Sequence, residues 1–140
     1  MDIFSVKKRS EVMSKIRGED TKLEIKVRSY LFRLGFRFKK NVKNLPGKPD
    51  IVLKKYNSVI FINGCFWHGH KSCKLFKMPK TRTQFWREKI NANIDRDVRY
   101  KRKLRHLGWN VVILWECRLE KNFEKQMSKT LSKFKDHEDG

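Results

Sequence analysis

Apolar residues recur at two different spacings along the chain, and these spacings predict an alternation of helices and strands. Between Thr21 and Gly35 they return every three or four residues, which predicts a helix with one buried face. Thr21 and Glu24, three residues apart, form a capping box that opens this helix, and Gly35 ends it. The predicted buried stripe consists of Leu23, Val27, Leu31 and Leu34.

Short apolar runs in the middle of the chain predict strands. Residues 50–53 and 59–62 are expected to be adjacent strands, with residues 54–57 as the hairpin turn between them. Residues 36–42 alternate weakly and precede a turn at residues 45–49. Residues 111–115 are continuously apolar, as in a strand buried on both faces.

Three further helices complete the predicted secondary structure. A short basic helix is expected over residues 10–16. Thr83 is expected to cap a long basic helix that ends at Gly108, with a stripe of Ile90, Ile94, Val98, Lys101 (its aliphatic stem) and Leu104. The final amphipathic helix has a stripe of Phe123, Met127, Leu131 and Phe134. This order of elements predicts an α/β fold with a central mixed sheet flanked by helices.

The organisation of the chain follows from its length and uniformity. No repeat, low-complexity tract or linker interrupts the 140 residues, so residues 1–140 are expected to form a single domain. Within it, residues 1–18 form a basic arm, and residues 135–140 an acidic tail that we expect to be disordered.

The net charge is strongly positive and points to a polyanionic partner. Lys and Arg total 35 against 15 Asp and Glu, a formal charge of +20 at pH 7. Such self-repulsion disfavours the compact state unless an anion is bound, and nucleic acid is the commonest such anion, with an acidic membrane surface as the alternative. No apolar run reaches the roughly 18 residues of a membrane span. The N-terminus also lacks the apolar region of a signal peptide, so a cytoplasmic, intracellular protein is expected.

All three cysteines of the chain belong to a pattern typical of a metal site. Four residues have side chains that Zn²⁺ prefers, and four such ligands close a tetrahedral structural site: Cys65, His70, Cys73 and Cys117. The short local spacings let one loop surround the ion, and the distant fourth ligand fixes that loop to the last strand. The alternative is one or two buried cysteines and a surface histidine.

Carboxylates near the predicted hairpin suggest a second kind of metal site. Asp50 opens the first strand and residues 62–63 end the second, the layout of nucleases in which such an Asp holds Mg²⁺. The ion would activate a water and stabilise the departing oxygen of a phosphodiester. Alternatively, Asp50 makes a turn at the strand entrance, and Glu24 serves only as the capping-box acid.

His68 is a candidate general base, because its unperturbed pKa lies near neutrality. Asp97, on the long helix, could orient the His68 ring through its N–H. The alternatives are a phosphate contact or a solvent-facing residue for His68, and an ion pair with Lys101 for Asp97.

Aromatic residues near the cysteines could contact DNA. Phe66 and Trp67 are adjacent in a loop flanked by glycines and cannot both face one side of a core, and of Phe85 and Trp86 only one can face inward easily. Aromatic side chains that wedge between base steps unstack a duplex. The alternative is core packing around the zinc site.

Five segments of the chain resemble the very-short-patch repair (Vsr) endonucleases. The match is collinear from about residue 9 to residue 117 and consists of LPGKPD at 45–50, VIFINGCFWH at 59–68, FKMP at 76–79, TRTQFW at 81–86 and GWNVVILWEC at 108–117. The resemblance implies a fold like that of type II restriction endonucleases with an added zinc site. It also implies a strand break that leaves a 5′-phosphate, made beside the mispaired T of a T:G mismatch.

The resemblance assigns roles to individual residues. Asp50 would be the principal Mg²⁺ ligand, joined by the backbone carbonyl of Ile62, and His68 would be the general base or would position the water. Asp97 and Glu24 would support this site, and the Cys/His set would hold Zn²⁺. The remaining roles are contacts to DNA: Phe66, Trp67 and Trp86 as wedges beside the mismatch, and Lys7, Lys8, Arg9, Lys15 and Arg17 on the basic arm, which would cross the opposite groove.

The chain departs from the family at two points. Better-known members have Thr-His where this chain has Ile62-Asn63, so the role of that His is absent or is taken by Asn63. The zinc loop is one residue longer, at residues 71–72. Two alternatives therefore stand beside a mismatch endonuclease: a sequence-directed nickase of the same fold, homing or restriction-like, and a non-catalytic, zinc-stabilised DNA-binding module. The expected partner is double-stranded DNA with a T:G mismatch, with mismatch-repair proteins as candidate partners, and the protein is expected to be a monomer in a bacterial cell.

Overall fold

A four-stranded mixed sheet organises the protein in a computed structural model, which describes residues 21–71, 73 and 75–138, with the backbone only for 135–138. The strands lie in the order β1, β2, β3, β4. Antiparallel pairing joins β1 to β2 and β2 to β3, whereas β3 and β4 are parallel. Their bounds are Lys39–Lys40 for β1, Ile51–Leu53 for β2, Ser58–Asn63 for β3 and Asn110–Trp115 for β4.

Four described helices flank the sheet. The longest, α2, provides the crossover between the parallel strands β3 and β4. A 3-10 helix at Lys54–Tyr56 connects β2 and β3. The bounds of the helices are Lys22–Arg33 for α1, Thr83–His106 for α2, Glu116–Lys121 for α3 and Phe123–Glu138 for α4.

The core has a layer on each face of the sheet, because neighbouring strand residues point to opposite sides. Ile51 and Ile60 belong to one layer, and Val52 and Val59 to the other. The first layer includes helix residues of α1, α3 and α4: Val27, Leu31, Leu119, Met127 and Phe134. The second includes Leu104 of α2. Helices therefore cover both faces, and the predicted α/β fold with a central mixed sheet is confirmed.

Local sequence patterns correctly predicted the pairing of β2 with β3 and both ends of α1. Ile51 pairs with Ile60, and Asn57 closes the connection with a φ of 48°. The Thr21 hydroxyl accepts a hydrogen bond from the Glu24 N–H at 3.3 Å, as in the predicted cap. Gly35 follows the helix with a φ of 96°, a conformation that glycine adopts without strain.

Several details of the helices differ from the prediction. Arg82 is the N-cap of α2, and the Thr83 hydroxyl instead donates to the Pro79 carbonyl at 2.9 Å. Leu34 is exposed because it is the C-cap residue at the end of α1, and Val98 is exposed at the edge of the predicted stripe of α2. Helix α4 extends to Glu138, and the disordered tail expected at residues 135–140 stays a prediction.

The predicted basic arm at residues 1–18 lies outside the described residues, as does the helix predicted over 10–16. This holds for the five predicted DNA contacts on the arm, Lys7, Lys8, Arg9, Lys15 and Arg17. None of the described helices is long and apolar enough to cross a membrane.

Candidate active site and metal centre

A groove of about 810 Å³ opens at the carboxyl end of β3. The N-terminus of α1, the segment before β2 and one face of α2 form its walls. The residues predicted to be catalytic all line it: Glu24, Asp50, Asn63, His68 and Asp97. Ile62, the second predicted Mg²⁺ ligand, lines it as well, and so do the basic residues Lys22, Lys43, Lys48 and Arg96.

Asp50 is fixed at the floor of this groove by the neighbouring strand. Its carboxylate Oδ2 accepts a hydrogen bond from the Ile62 N–H at 2.6 Å, and its own N–H donates to the Ile60 carbonyl at 3.1 Å. Burial, and to a smaller extent the negative charge of Glu24, raises the pKa of Asp50 to about 7, although the hydrogen bond from Ile62 lowers it. A nearby cation would reverse this shift, because it favours the ionised carboxylate.

Glu24 combines its predicted position in the cap with a place in the groove. The residue is only 5% exposed although it is acidic and lies in the first turn of a helix. Its Oε2 atom lies 3.5 Å from Nη1 of Arg28, one helical turn away. The cap and the groove position therefore coexist, as the sequence allowed.

His68 and Asp97 form a direct pair. Nδ1 of His68 lies 2.5 Å from Oδ2 of Asp97, and both side chains are about 30% exposed. An ionised carboxylate only accepts hydrogen bonds, so Nδ1 carries the proton and Nε2 is left as the acceptor of the ring. The structure thus brings together the pair that the sequence suggested.

The Cys/His set converges on one point. The ligand atoms of Cys65, His70, Cys73 and Cys117 all lie within 4.8 Å of one another. Nδ1 of His70 is 3.5 Å from the sulfur of Cys65 and 3.4 Å from that of Cys117. Tetrahedral zinc with its usual bond lengths would place nitrogen and sulfur ligands about 3.6 Å apart, so the four side chains could hold such an ion.

The surroundings of the Cys/His cluster suit metal binding. Cys117 was predicted at the end of the last strand. It lies instead in the first turn of α3, because the helix begins directly after Trp115. The Trp115 ring stacks on His70 with centroids 4.0 Å apart. Burial, together with Arg118, lowers the pKa of His70, which keeps its imidazole neutral. Burial raises the pKa of the Cys65 thiol, so metal binding there would release a proton.

The predicted wedge residues pack against one another in this structure. Phe66, Trp67 and Trp86 are 8%, 4% and 1% exposed and form a cluster with Ile90 of α2. The expectation that Phe66 and Trp67 cannot share one side of a core was wrong, because residues 64–70 form consecutive turns in which adjacent side chains need not alternate. Of Phe85 and Trp86 only Trp86 is buried, as expected. The role of the three aromatics as wedges stays a prediction.

Two polar residues that the sequence did not single out also belong to the site. Asn93 of α2 donates from Nδ2 to the Trp67 carbonyl at 3.0 Å and accepts a hydrogen bond from Arg96. Oε1 of Glu116 accepts a hydrogen bond from the Cys65 N–H at 3.1 Å. No pattern at the sequence level marks Asn93. Glu116 is marked only by its position next to Cys117.

Comparisons with known proteins connect this site to DNA cleavage. A family model described as DNA mismatch endonuclease Vsr matches residues 1–75. The chain is 51% identical over 119 residues to the type II nicking enzyme V.NmeAIP of Neisseria meningitidis, covering 85% of this chain and 84% of that protein. It is 47% identical over 118 residues to the DNA mismatch endonuclease Vsr of Escherichia coli, covering 84% and 75%. The type II nicking enzyme V.XorIIP of Xanthomonas oryzae is 42% identical, covering 84% and 86%.

Proposed function

This chain belongs to the Vsr family of DNA mismatch endonucleases, and we propose that it nicks one strand of double-stranded DNA beside the T of a T:G mismatch. The cut would start very-short-patch repair and leave a 5′-phosphate. One observation carries the proposal: Asp50, Glu24 and the His68–Asp97 pair line a single groove next to basic residues that suit a phosphate backbone.

The protein is a DNA endonuclease. Its relatives are named endonucleases and nicking enzymes, and they match along most of the chain. The hypothesis of a non-catalytic DNA-binding module therefore has no support among these relatives.

A catalytic Mg²⁺ would be held by Asp50 and the backbone carbonyl of Ile62. Two acidic side chains, Asp50 and Glu24, are directed into one groove, which supports this assignment because a bound cation would keep the buried Asp50 carboxylate ionised. The ion, when bound, supplies a polarised water and stabilises negative charge on the departing oxygen. Glu24 adds a second negative charge to the same groove, and Asn63 stands where the better-known members of the family have histidine.

His68 would act as the general base or position the attacking water. Its Nε2 takes a proton from water as the water oxygen bonds to phosphorus, while Asp97 stabilises the resulting imidazolium through Nδ1. The bond between phosphorus and the 3′ oxygen breaks, and the 3′ oxygen finally takes up a proton from solvent. His68 then releases to solvent the proton that it took from the water, so the products are a 5′-phosphate and a 3′-hydroxyl and the imidazole is neutral again.

The Cys/His cluster would hold a structural Zn²⁺. Three thiols and one neutral imidazole are the donors that zinc prefers, and the fourth ligand, Cys117, would tie the loop of residues 64–73 to α3. Since that loop carries His68, the ion would stabilise the active site without taking part in the reaction.

The remaining parts of the proposal concern the setting of the reaction. We expect a monomer that works in the bacterial cytoplasm on DNA associated with the nucleoid, with mismatch-repair proteins as candidate partners. The basic arm and the aromatic residues Phe66, Trp67 and Trp86 would contact DNA on opposite sides of the mismatch.

Two duplexes that differ at one base test the proposal. Duplexes of identical sequence, one with a T:G mismatch and one with T:A, are incubated with the protein and Mg²⁺, and each strand carries its own label. We expect a nick in the T-containing strand of the mismatched duplex alone, and none in either duplex without Mg²⁺. Equal cleavage of both duplexes would contradict mismatch recognition.

A sequence-directed nickase is the second candidate. Two relatives, V.NmeAIP and V.XorIIP, are named type II nicking enzymes, and this similarity favours the second candidate. For this function, cleavage would depend on the bases flanking the site and proceed equally well with T:A at the centre. A panel of randomised flanking sequences, with and without the mismatch, separates the two candidates.

A further inference from the structure

Glu116 is an acidic residue in a place where an acidic residue is costly for a DNA-binding protein. It lines the same groove as Asp50 and His68, in a protein whose formal charge is +20. A carboxylate facing a phosphate backbone weakens binding through repulsion unless it has another task. Asp50, Asp97 and Glu24 have roles in the proposed function, but Glu116 has none.

The contacts of Glu116 show what it holds. Its Oε1 atom accepts a hydrogen bond from the Cys65 N–H at 3.1 Å. The next residue, Cys117, donates its backbone N–H to the sulfur of Cys65 at 3.4 Å. Two consecutive residues at the start of α3 therefore hold two atoms of Cys65, so that its position and orientation are both fixed.

Cys65 and its neighbour Gly64 in turn determine where His68 lies. The His68 N–H donates to the Gly64 carbonyl at 3.2 Å, within one tight turn. A second bond, from the His70 N–H to the Cys65 carbonyl at 3.0 Å, closes the same loop. A shift of the Gly64–Cys65 peptide would thus be passed to the backbone of His68 through a single hydrogen bond.

We propose that Glu116 is a positioning residue for the reaction, which holds the loop of residues 64–70 so that His68 faces the groove. Asp97 anchors the His68 ring at Nδ1, and Glu116 anchors the loop that carries its backbone. With both contacts in place, the His68 ring is held in one orientation. With the Asp97 contact alone, the ring can rotate about its hydrogen bond to Asp97. The inference rests on the proposed function for the role of His68.

The expected effect is on the chemical step rather than on DNA binding. A misplacement of a catalytic group by about 1 Å can lower the rate roughly 100-fold. Glu116→Ala should therefore lower kcat for nicking by about 10- to 100-fold, while KM stays within about twofold. Glu116→Gln should restore most of kcat, because the amide oxygen can accept the same hydrogen bond from Cys65.

Glu120 supplies a matched control. It lies one turn further along α3, lines the same groove and has the same charge. Glu120→Ala removes a negative charge from the groove without touching the Cys65 contact, so its kcat should stay near that of the native protein. If Glu120→Ala and Glu116→Ala have the same effect, charge in the groove is responsible and the proposal is overturned.

Two further measurements do not depend on nicking. The protein is loaded with Co²⁺, and the stoichiometry and visible absorption of the Cys/His cluster are compared among the variants. Glu116→Ala should bind one Co²⁺ as the native protein does, so that loss of the cluster can be distinguished from loss of positioning. The imidazole ¹⁵N resonances of His68, identified by their absence in His68→Ala, should shift or broaden in Glu116→Ala and return in Glu116→Gln.

The outcomes separate the possible failures. Native kcat and native His68 resonances in Glu116→Ala would overturn the proposal. So would a Glu116→Gln variant as impaired as Glu116→Ala, or a loss of Co²⁺ in proportion to the loss of kcat. If the native protein nicks neither duplex, the proposed function fails, and the resonances of His68 still decide whether Glu116 sets its position.

Discussion

The imidazole of His68 and the carboxylate of Asp97 meet at 2.5 Å between Nδ1 and Oδ2, although 29 residues separate them along the chain. The loop after β3 supplies the histidine and the long helix α2 supplies the aspartate. This pairing leaves Nε2 as the only ring atom that can take a proton. His68→Ala should lower the nicking rate by about 10² to 10⁴, the range for a lost general acid–base group.

Asp95 allows a control for the aspartate of this pair. Asp97→Asn should also slow nicking, because an amide can turn its NH₂ group towards Nδ1 and favour the wrong tautomer. Asp95 lies on the same helix but is exposed and outside the groove, so Asp95→Asn should leave single-turnover rates unchanged. Equal rates for Asp97→Asn and Asp95→Asn would argue against the pair.

A second prediction concerns the pH dependence of stability that Asp50 imposes. Its pKa is raised from 3.8 to about 7, so between these pH values the folded protein binds more protons than the unfolded chain. Stability should therefore be highest at the acidic end of this window and fall as the pH rises through it. One pKa unit corresponds to 1.36 kcal/mol, so the loss is at most about 4 kcal/mol.

Urea denaturation without Mg²⁺ measures this effect. The free energy of unfolding should fall more steeply between pH 4 and pH 7 in the native protein than in Asp50→Asn, which cannot ionise at this position. Added Mg²⁺ should recover part of the loss above pH 7 in the native protein alone, because it binds the ionised carboxylate. Asp50→Asn should not nick. Parallel pH profiles for the two proteins would contradict the raised pKa.

Much of the fold follows from local patterns in the sequence. The period of apolar residues located α1 and α4, and the runs that became β2, β3 and β4 were apolar enough to predict without tertiary information. The Cys/His set was also recognisable, because three metal-binding side chains with two short spacings, and a fourth after the last strand, rarely occur by chance. The pair of His68 and Asp97 could be suggested only as one of several alternatives, since no local pattern joins a loop to a helix 29 residues away.

Features set by packing could not be predicted in this way. Thr83 has the residue type of an N-cap, but its hydroxyl bonds the preceding segment and Arg82 takes the cap position. The burial of both Phe66 and Trp67 depends on a sequence of tight turns that no propensity scale describes. Likewise, Asn93 and Glu116 form hydrogen bonds with backbone groups of residues far away in the chain. Such contacts cannot be predicted from residue types, because every residue type carries the same backbone groups.

The Cys/His cluster should stabilise the fold only when it holds a metal ion. Removing the ion with a chelator should lower the Tm of the native protein, because binding free energy is folding free energy at such a site. Cys117→Ser should show a low Tm from the start and little further change with chelator. Purified protein without zinc, or a Tm that chelators leave unchanged, would argue against a structural zinc site.

Gly69 should tolerate no side chain. It has a φ of 56°, and an added Cβ would lie 2.6 Å from Cδ1 of Ile94 and 2.9 Å from Cγ2 of Ile90. Overpacking of this kind costs about 1–3 kcal/mol in addition to the backbone strain. Gly69→Ala should therefore lower the free energy of unfolding by at least that amount, as measured in urea.

Gly35 separates backbone strain from overpacking. It also has a positive φ, 96°, but nothing lies within 4 Å of an added Cβ. Gly35→Ala should cost only the strain of the backbone. If Gly35→Ala is as destabilising as Gly69→Ala, the tight contact with Ile90 and Ile94 is not what requires glycine at position 69.

The aromatic cluster supplies the last prediction, which concerns recognition of the mismatch. If Trp67 and its neighbours insert beside the T:G pair, they must leave the positions that bury them in the free protein. The buried Nε1 of Trp86 has no hydrogen-bond partner among the described residues. This unsatisfied donor lowers the free-energy cost of moving Trp86 out of the cluster. The ammonium group of Lys89 already lies 5.1 Å from the centre of the Trp67 ring.

Trp67→Ala should therefore lower the preference for T:G over T:A duplexes more than it lowers stability. A mismatched step is cheaper to unstack than a Watson–Crick step, and a wedge converts that difference into specificity. The ratio of kcat/KM for the two duplexes measures the preference, and the free energy of unfolding measures the packing loss. Phe76 packs against the same cluster, so Phe76→Ala controls for lost packing. A preference that falls equally in both variants would assign Trp67 to the core alone.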